Sequence, residues 1–221
     1  MPCTRHIIAI AGASGSGKTH LAGQLCRALE SELGAGAVAL IEEDAYYATP
    51  PAGIARERVN YDHPSAFDHA LLCDHLRRLR AGQAVSVPRY DFAAHARQVD
   101  CRRVEPAEVV VIEGIMLLAD AARDGPDGPA LHQLFDLRLF IDTPLDICLG
   151  RRIRRDLRER GRSLESVLNQ YEAFVRPMYL KHIEPSRARA DLIMPGGGSP
   201  DGRSPAALGV IETHIRSLLQ A

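Results

Sequence analysis

The sequence predicts an α/β fold of three layers around a mostly parallel central sheet. Strand-like and helix-like segments alternate along the chain. Two of the strand-like segments, Val109–Ile112 and Leu137–Ile141, are continuous apolar runs suited to strands buried on both faces. The opening strand-like segment, Arg5–Ile10, leads directly through a glycine-rich stretch into a helical pattern.

After the opening strand, Gly12–Gly17 is a loop and the following helix runs to about Leu33. A second strand covers Ala37–Glu42, and a polar, Pro-containing stretch follows from Asp44 to Asn60. Ser65–Arg80 reads as a helix, because Phe67, Leu71, Leu72, Leu76 and Leu79 fall at helical spacing and Gly82 ends the pattern. Residues 84–105 alternate between breaks at Pro88 and Pro106 and read as a β-hairpin excursion. Asp124–Pro129 is a loop, and helices fill Pro144–Arg160 and Ser163–Tyr179. Leu192–Met194 is a short last strand, Pro195–Pro205 a flexible loop, and a closing helix places Leu208, Ile211, Ile215 and Leu218 on one face.

The 221 residues suit one or two domains, and a pattern without internal repeats favours a single one over residues 1–221. Apolar residues make up 46% and charged residues 25%, which excludes a disordered chain. A net charge of −1 argues against a protein built to coat nucleic acid or anionic lipid. No apolar run approaches the ~18 residues of a membrane span, and no signal peptide is evident. Five scattered cysteines, with no CxxC pair, read as reduced thiols of a cytoplasmic protein. Of 27 basic residues only Lys18 and Lys181 are lysines. Because arginine's planar fork does not replace a compact ammonium, both positions are worth inspecting.

Lys18 belongs to the strongest motif, Gly12-Ala13-Ser14-Gly15-Ser16-Gly17-Lys18-Thr19, a full match to GxxxxGK[ST] between strand and helix. Such a loop turns backbone N–H groups toward phosphates, and the helix N-terminus adds its positive end. Lys18 can reach the β- and γ-phosphates, while the Thr19 hydroxyl can ligate Mg²⁺. The fold expectation thereby narrows to a P-loop NTPase sandwich. The absence of an NKxD stretch argues against a GTPase switch. Glu113, ending an apolar strand, is placed to hold Mg²⁺ directly or through water, or to cap the strand end. Glu42, Glu43 and Asp44 lie at another strand end, facing the ligand crevice of an open sheet; any one could accept a proton from an alcohol.

Asp62 and Ser65, taken alone, fit helix N-caps better than ligands. Tyr90, Phe92 and His95 place aromatic rings and an imidazole in the hairpin region, and no Cys/His cluster suggests zinc. Residues 151–162 hold seven arginines in twelve. Without interleaved aromatics, a nucleic-acid face is disfavoured. An arginine finger supplied in cis on a closing lid that excludes water fits a P-loop protein better.

Taken together, GASGSGKT, EEDAYY, NYDHPSAFDH, VPRYDFAAHAR, VVVIEGIMLL, FIDTPLDICLGRRIRRDLRERGR, VLNQY, VRPMYL and IEPS resemble the uridine/cytidine kinase family of pyrimidine salvage. They follow the family's order from residue 5 to about 195. The resemblance implies that Asp44 is the catalytic carboxylate, close to Mg²⁺, and that Asp62 accepts both ribose hydroxyls. It implies that Tyr47, Tyr90, Phe92 and His95 line a base pocket and that Arg152 and Gln170 lie near the sugar. Arg155, Arg160 and Arg162 become lid groups facing phosphates. A neutral imidazole at His95 suits both uracil O4 and the cytosine amine, by choice of tautomer.

The activity so implied is transfer of the γ-phosphate of ATP or GTP to the 5′-hydroxyl of uridine or cytidine. A homotetramer inhibited by CTP and UTP, with no nucleic-acid or membrane partner, is implied as well. A phosphoribulokinase-like or pantothenate-kinase-like enzyme, or a nucleotide-dependent RNA-binding module, is the alternative. One departure stands out: the family's Pro-Arg-Gly after the last strand is here Pro195-Gly196-Gly197.

Overall fold

A computed structural model describes residues 5–50, 59–92, 94, 96–122, 128, 130–196 and 205–219. Five parallel strands form the central sheet in the order β2 (Val38–Glu42), β5 (Val109–Gly114), β1 (His6–Gly12), β6 (Leu137–Asp142), β7 (Leu192–Pro195). β1 lies between β5 and β6, with Ile10 opposite Glu113 and Leu139. Its alternation explains the layers. Ile8 and Ile10 pack with Leu21, Leu25 and Leu29 of α1 (Lys18–Leu33) and with Ile211 and Ile215 of the C-terminal helix (Pro205–Leu219). Ile7, Ala9 and Ala11 face the other core, where Leu72, Leu76 and Leu79 of α2 (His69–Arg80) are fully buried. Burying both faces is why these strands read as unbroken apolar runs.

β3 (Val85–Asp91) and β4 (Ala96–Val104) pair antiparallel as the expected hairpin, with a register shift between Pro88 and Tyr90. α3 (Leu145–Glu159) carries most of the arginine cluster.

Two helix expectations are corrected. α2 begins at His69, four residues after Ser65. Pro64–Ala66 instead forms a 3-10 turn whose Ser65 N–H donates to the His63 ring, Phe67 is extended, and Asp68 caps α2 through the Leu71 N–H. The second helical run starts with α4 (Leu164–Gln170) and continues past Tyr179 to Arg189, with π turns at Tyr171–Val175 and Tyr179–Ile183. Each π turn comes just before a proline segment, Pro177 or Pro185. A proline has no N–H to give the carbonyl four residues back, so the ladder widens in the preceding turn.

The loop expected at 124–129 and the one at 195–205 fall largely outside the described residues, as do Cys3 and His95. Cys26, Cys101 and Cys148 are free thiols, and Cys73 is buried. Among the described residues no helix is long and apolar enough to cross a membrane.

Candidate active site

The C-terminal ends of β1, β2 and β5 open onto one cleft of about 1200 Å³, with the lid arginines and the hairpin's aromatic residues on its far walls. At its floor the glycine loop turns sharply. Gly15 has φ of +84°, and a Cβ there would lie 2.5 Å from the Cys148 carbonyl oxygen, so no side chain fits. Lys18 is buried and its Nζ donates to the Ala13 carbonyl at 2.9 Å, curled over the loop it would share with a phosphate. Ser16 Oγ is buried and has no hydrogen-bond partner among the described residues. Thr19 Oγ1 donates to Glu113 Oε1 at 2.8 Å, linking the first turn of α1 to the end of β5.

Three acidic groups crowd this corner. Burial, then Glu113 and Glu43, push the Asp44 carboxyl up to about 7, with Lys18 and Arg160 pulling the other way. Burial also raises Glu113, against the opposing effects of Lys18 and the Thr19 hydrogen bond. The site is therefore short of positive charge, the condition a divalent cation relieves. Among the described residues no three His, Cys, Asp or Glu side chains are arranged to hold a metal by themselves. Thr19 with one or two carboxylates suits Mg²⁺, which takes its remaining ligands from phosphate and water.

Glu43 and Glu42 separate from Asp44 by position. Glu42 is exposed, whereas Glu43 is fully buried away from the cleft; its Oε1 lies 2.9 Å from His69 Nε2 and its Oε2 accepts the Met116 N–H. Asp62 corrects the helix-cap reading: His63 caps the 3-10 turn, Asp68 caps α2, and Asp62 is buried against the cleft. Burial raises its carboxyl, and Arg152, Arg155 and Arg160 oppose the shift.

Tyr47 joins the aromatic wall. Its ring stacks on Phe67 at 4.3 Å and meets Tyr90 at 5.2 Å and Phe92 at 6.3 Å. Arg97, which the sequence reading passed over, braces this wall by donating to the Tyr46 and Tyr47 carbonyls and pairing with Asp68. On the lid side, Arg152 Nη1 donates to Ser14 Oγ at 2.9 Å and its Nη2 to Gln170 Oε1 at 2.8 Å. Arg162 also donates to Gln170 Oε1. Arg155, Arg160 and Arg162 gather around Asp156, and Arg160 lies over the Phe92 ring at 4.7 Å. Asp156 was missed as one acid in a basic run, although its spacing of four from Arg152 and from Arg160 was a readable signal. Arg151 was missed as well; its Nη1 donates to the Ser16 carbonyl.

A parallel sheet with a GxxxxGK[ST] loop at the end of β1, an acidic corner beside it and arginines across the cleft define a P-loop phosphotransferase. The sequence profile of the Phosphoribulokinase / Uridine kinase family matches residues 7–201, and the chain belongs to that family. A protein named uridine kinase from Tolumonas auensis is 46% identical over 215 residues, covering 96% of this chain and 95% of its own. One of the same name from Vibrio parahaemolyticus is 45% identical over 217 residues, covering 97% and 96%. In fold, the chain is similar to phosphoribulokinase from Rhodobacter spheroides (TM-score 0.61, 15% identity, 91% of this chain and 75% of that one).

Proposed function

We propose that this chain is a uridine/cytidine kinase: it transfers the γ-phosphate of ATP or GTP to the 5′-hydroxyl of uridine or cytidine, giving UMP or CMP. The observation that carries the reading is that the phosphate loop, Asp44, Asp62 and the lid arginines all line a single cleft. The full-length similarity to proteins named uridine kinase supports the choice of acceptor.

In this reading Asp44 orients the 5′-hydroxyl and takes its proton. Burial and the neighbouring Glu113 and Glu43 raise the proton affinity of this carboxyl in the metal-free site. Lys18 binds the phosphates. Thr19, Glu113 and Asp44 would hold Mg²⁺, which would supply charge neutralisation at the phosphates. Arg155, Arg160 and Arg162 close over the transferring group and exclude water. Asp62 offers two acceptor oxygens to a cis-diol, with Arg152 and Gln170 beside the sugar. Tyr47, Tyr90 and Phe92, which line the cleft, form the base pocket, and the family resemblance assigns His95 to it. The family resemblance supports a single kinase domain, a cytoplasmic homotetramer, and feedback by CTP and UTP.

An ADP-release assay with Mg·ATP tests the reading across uridine, cytidine, 2′-deoxyuridine, adenosine and ribulose 5-phosphate. Turnover confined to uridine and cytidine is the expected result. Turnover of ribulose 5-phosphate instead, or of none of the five, overturns it.

A further inference from the structure

We propose that Asp156 is a positioning residue: one buried negative charge placed behind the lid arginines, fixing their arrangement and limiting how tightly they hold polyphosphate. The inference rests on the kinase reading for what the arginines bind. The charge arrangement itself stands on geometry.

Asp156 has no exposed surface, although it lies on α3 amid basic neighbours, and it is absent from the cleft lining that Arg152, Arg155, Arg160 and Arg162 share. The cations therefore stand between it and the cleft. Oδ1 takes Arg155, with Nε at 2.9 Å and Nη2 at 2.8 Å, and faces Arg160 Nη1 at 3.7 Å. Oδ2 faces Arg162 Nη1 at 3.3 Å and Arg152 Nε at 3.8 Å. Four guanidiniums converge on one carboxylate, leaving a formal excess of three positive charges. The Asp156 backbone carbonyl also accepts the Arg162 N–H at 3.1 Å, so the same residue turns the chain at the end of the lid.

Two consequences follow. Removing this charge leaves four like charges gathered around a vacated acceptor, and an anion in the cleft becomes the remaining neutralising group. Polyphosphate would then bind more tightly in the ground state, while the arginines, without their shared anion, would meet the transition state in more arrangements. Ground-state affinity would rise and turnover would fall, the pattern of binding energy that is not specific to the transition state.

Positional coupling extends further. Arg152 reaches Ser14 of the phosphate loop, Gln170 joins Arg152 to Arg162, and Arg160 covers Phe92 on the hairpin. Asp156 is the anion these arginines share, so its position bears on the donor and acceptor walls together.

The test is made on the full chain. Pyrophosphate affinity is measured by calorimetry, which needs no turnover, and uridine phosphorylation by ADP release. Asp156→Asn is expected to bind pyrophosphate about tenfold more tightly, with kcat at least about tenfold lower and the KM for ATP unchanged or reduced. Asp156→Glu keeps the charge but displaces it by one methylene. It is expected to leave pyrophosphate affinity within about twofold and to lower kcat by about fivefold. A merely structural role predicts unchanged or weaker pyrophosphate binding in Asp156→Asn, and that result overturns the proposal. So does a wild-type kcat in either variant. Should Asp156→Asn not fold, Asp156→Glu decides the positioning role by its kcat. A wild-type protein that does not turn over uridine defeats the kinase reading, while the pyrophosphate comparison still decides whether Asp156 restrains anion binding.

Discussion

Thr143 occupies the space that a side chain at residue 196 would need: a Cβ on Gly196 would clash with Thr143 Oγ1 and lie 2.9 Å from Thr143 Cβ. The same hydroxyl donates to the Ser16 carbonyl at 3.0 Å, so Thr143 links the strap after β7 to the phosphate loop. Gly196 is also the position where the sequence departs from the Pro-Arg-Gly of the proteins it resembles. Its amide donates to the Asp142 carbonyl, which holds the backbone close to Thr143.

Gly196→Ala is therefore expected to destabilise by about 1–3 kcal/mol, the usual cost of overpacking. Thermal melts check this. Adding Thr143→Ala should recover part of the loss, because it removes the clashing hydroxyl. A double variant that is merely the sum of the two single losses would show that the two residues do not compete for the same space.

Asp44→Asn separates chemistry from binding. Nucleotide affinity is expected to stay near that of the wild type while kcat falls about 10²–10⁴-fold, the range for loss of a general base. Stability supplies a second readout. A carboxyl raised from 3.8 to about 7 favours its protonated form in the folded protein. Its contribution is complete below about pH 4 and is lost as pH rises through about 7, by at most about 4 kcal/mol. Asparagine has no such loss. The melting temperature of the ligand-free variant should gain on the wild type between pH 4 and pH 8, and a margin that does not widen contradicts the assigned environment of Asp44.

The phosphate loop was legible because its signal is local: eight consecutive residues define both the turn and the chemistry. The central strands were legible because burial on two faces leaves unbroken apolar runs such as Val109–Ile112. Strand order was not, since β1 sits between β5 and β6 through partners more than a hundred residues away, Ile10 facing Glu113 and Leu139. The start of α2 was misread because Phe67 matches the helical spacing, yet its ring turns to stack on Tyr47. Asp156 and Glu43 were obscured for a related reason. A buried acid among exposed charges looks like its neighbours in a sequence, and only packing distinguishes it.

Asp62→Asn tests the acceptor side. An amide presents one acceptor oxygen where the carboxylate presents two, so a cis-diol loses a partner. The KM for uridine is expected to rise at least about tenfold, with the KM for ATP changed by less than about twofold. Discrimination against 2′-deoxyuridine should shrink in parallel. Steady-state kinetics with both nucleosides check this, and an undiminished preference for the ribonucleoside would remove Asp62 from contact with the sugar.

Glu43 and His69 are both buried and 2.9 Å apart, and Glu43 also accepts the Met116 N–H beyond the end of β5. The pair thus joins three segments: the turn bearing Asp44, the start of α2, and the chain just after Glu113 and Gly114. Glu43→Ala leaves the Met116 amide and the imidazole without their acceptor, a loss expected to cost about 3–5 kcal/mol, as for a broken buried pair. Glu43→Gln retains an acceptor for Met116 and can donate its amide to a neutral imidazole, so most of that stability should return. Denaturant titration of the two variants measures the difference. Equal losses in both would mean that the negative charge of Glu43, rather than neutral hydrogen bonds to His69 and Met116, holds this corner of the site together.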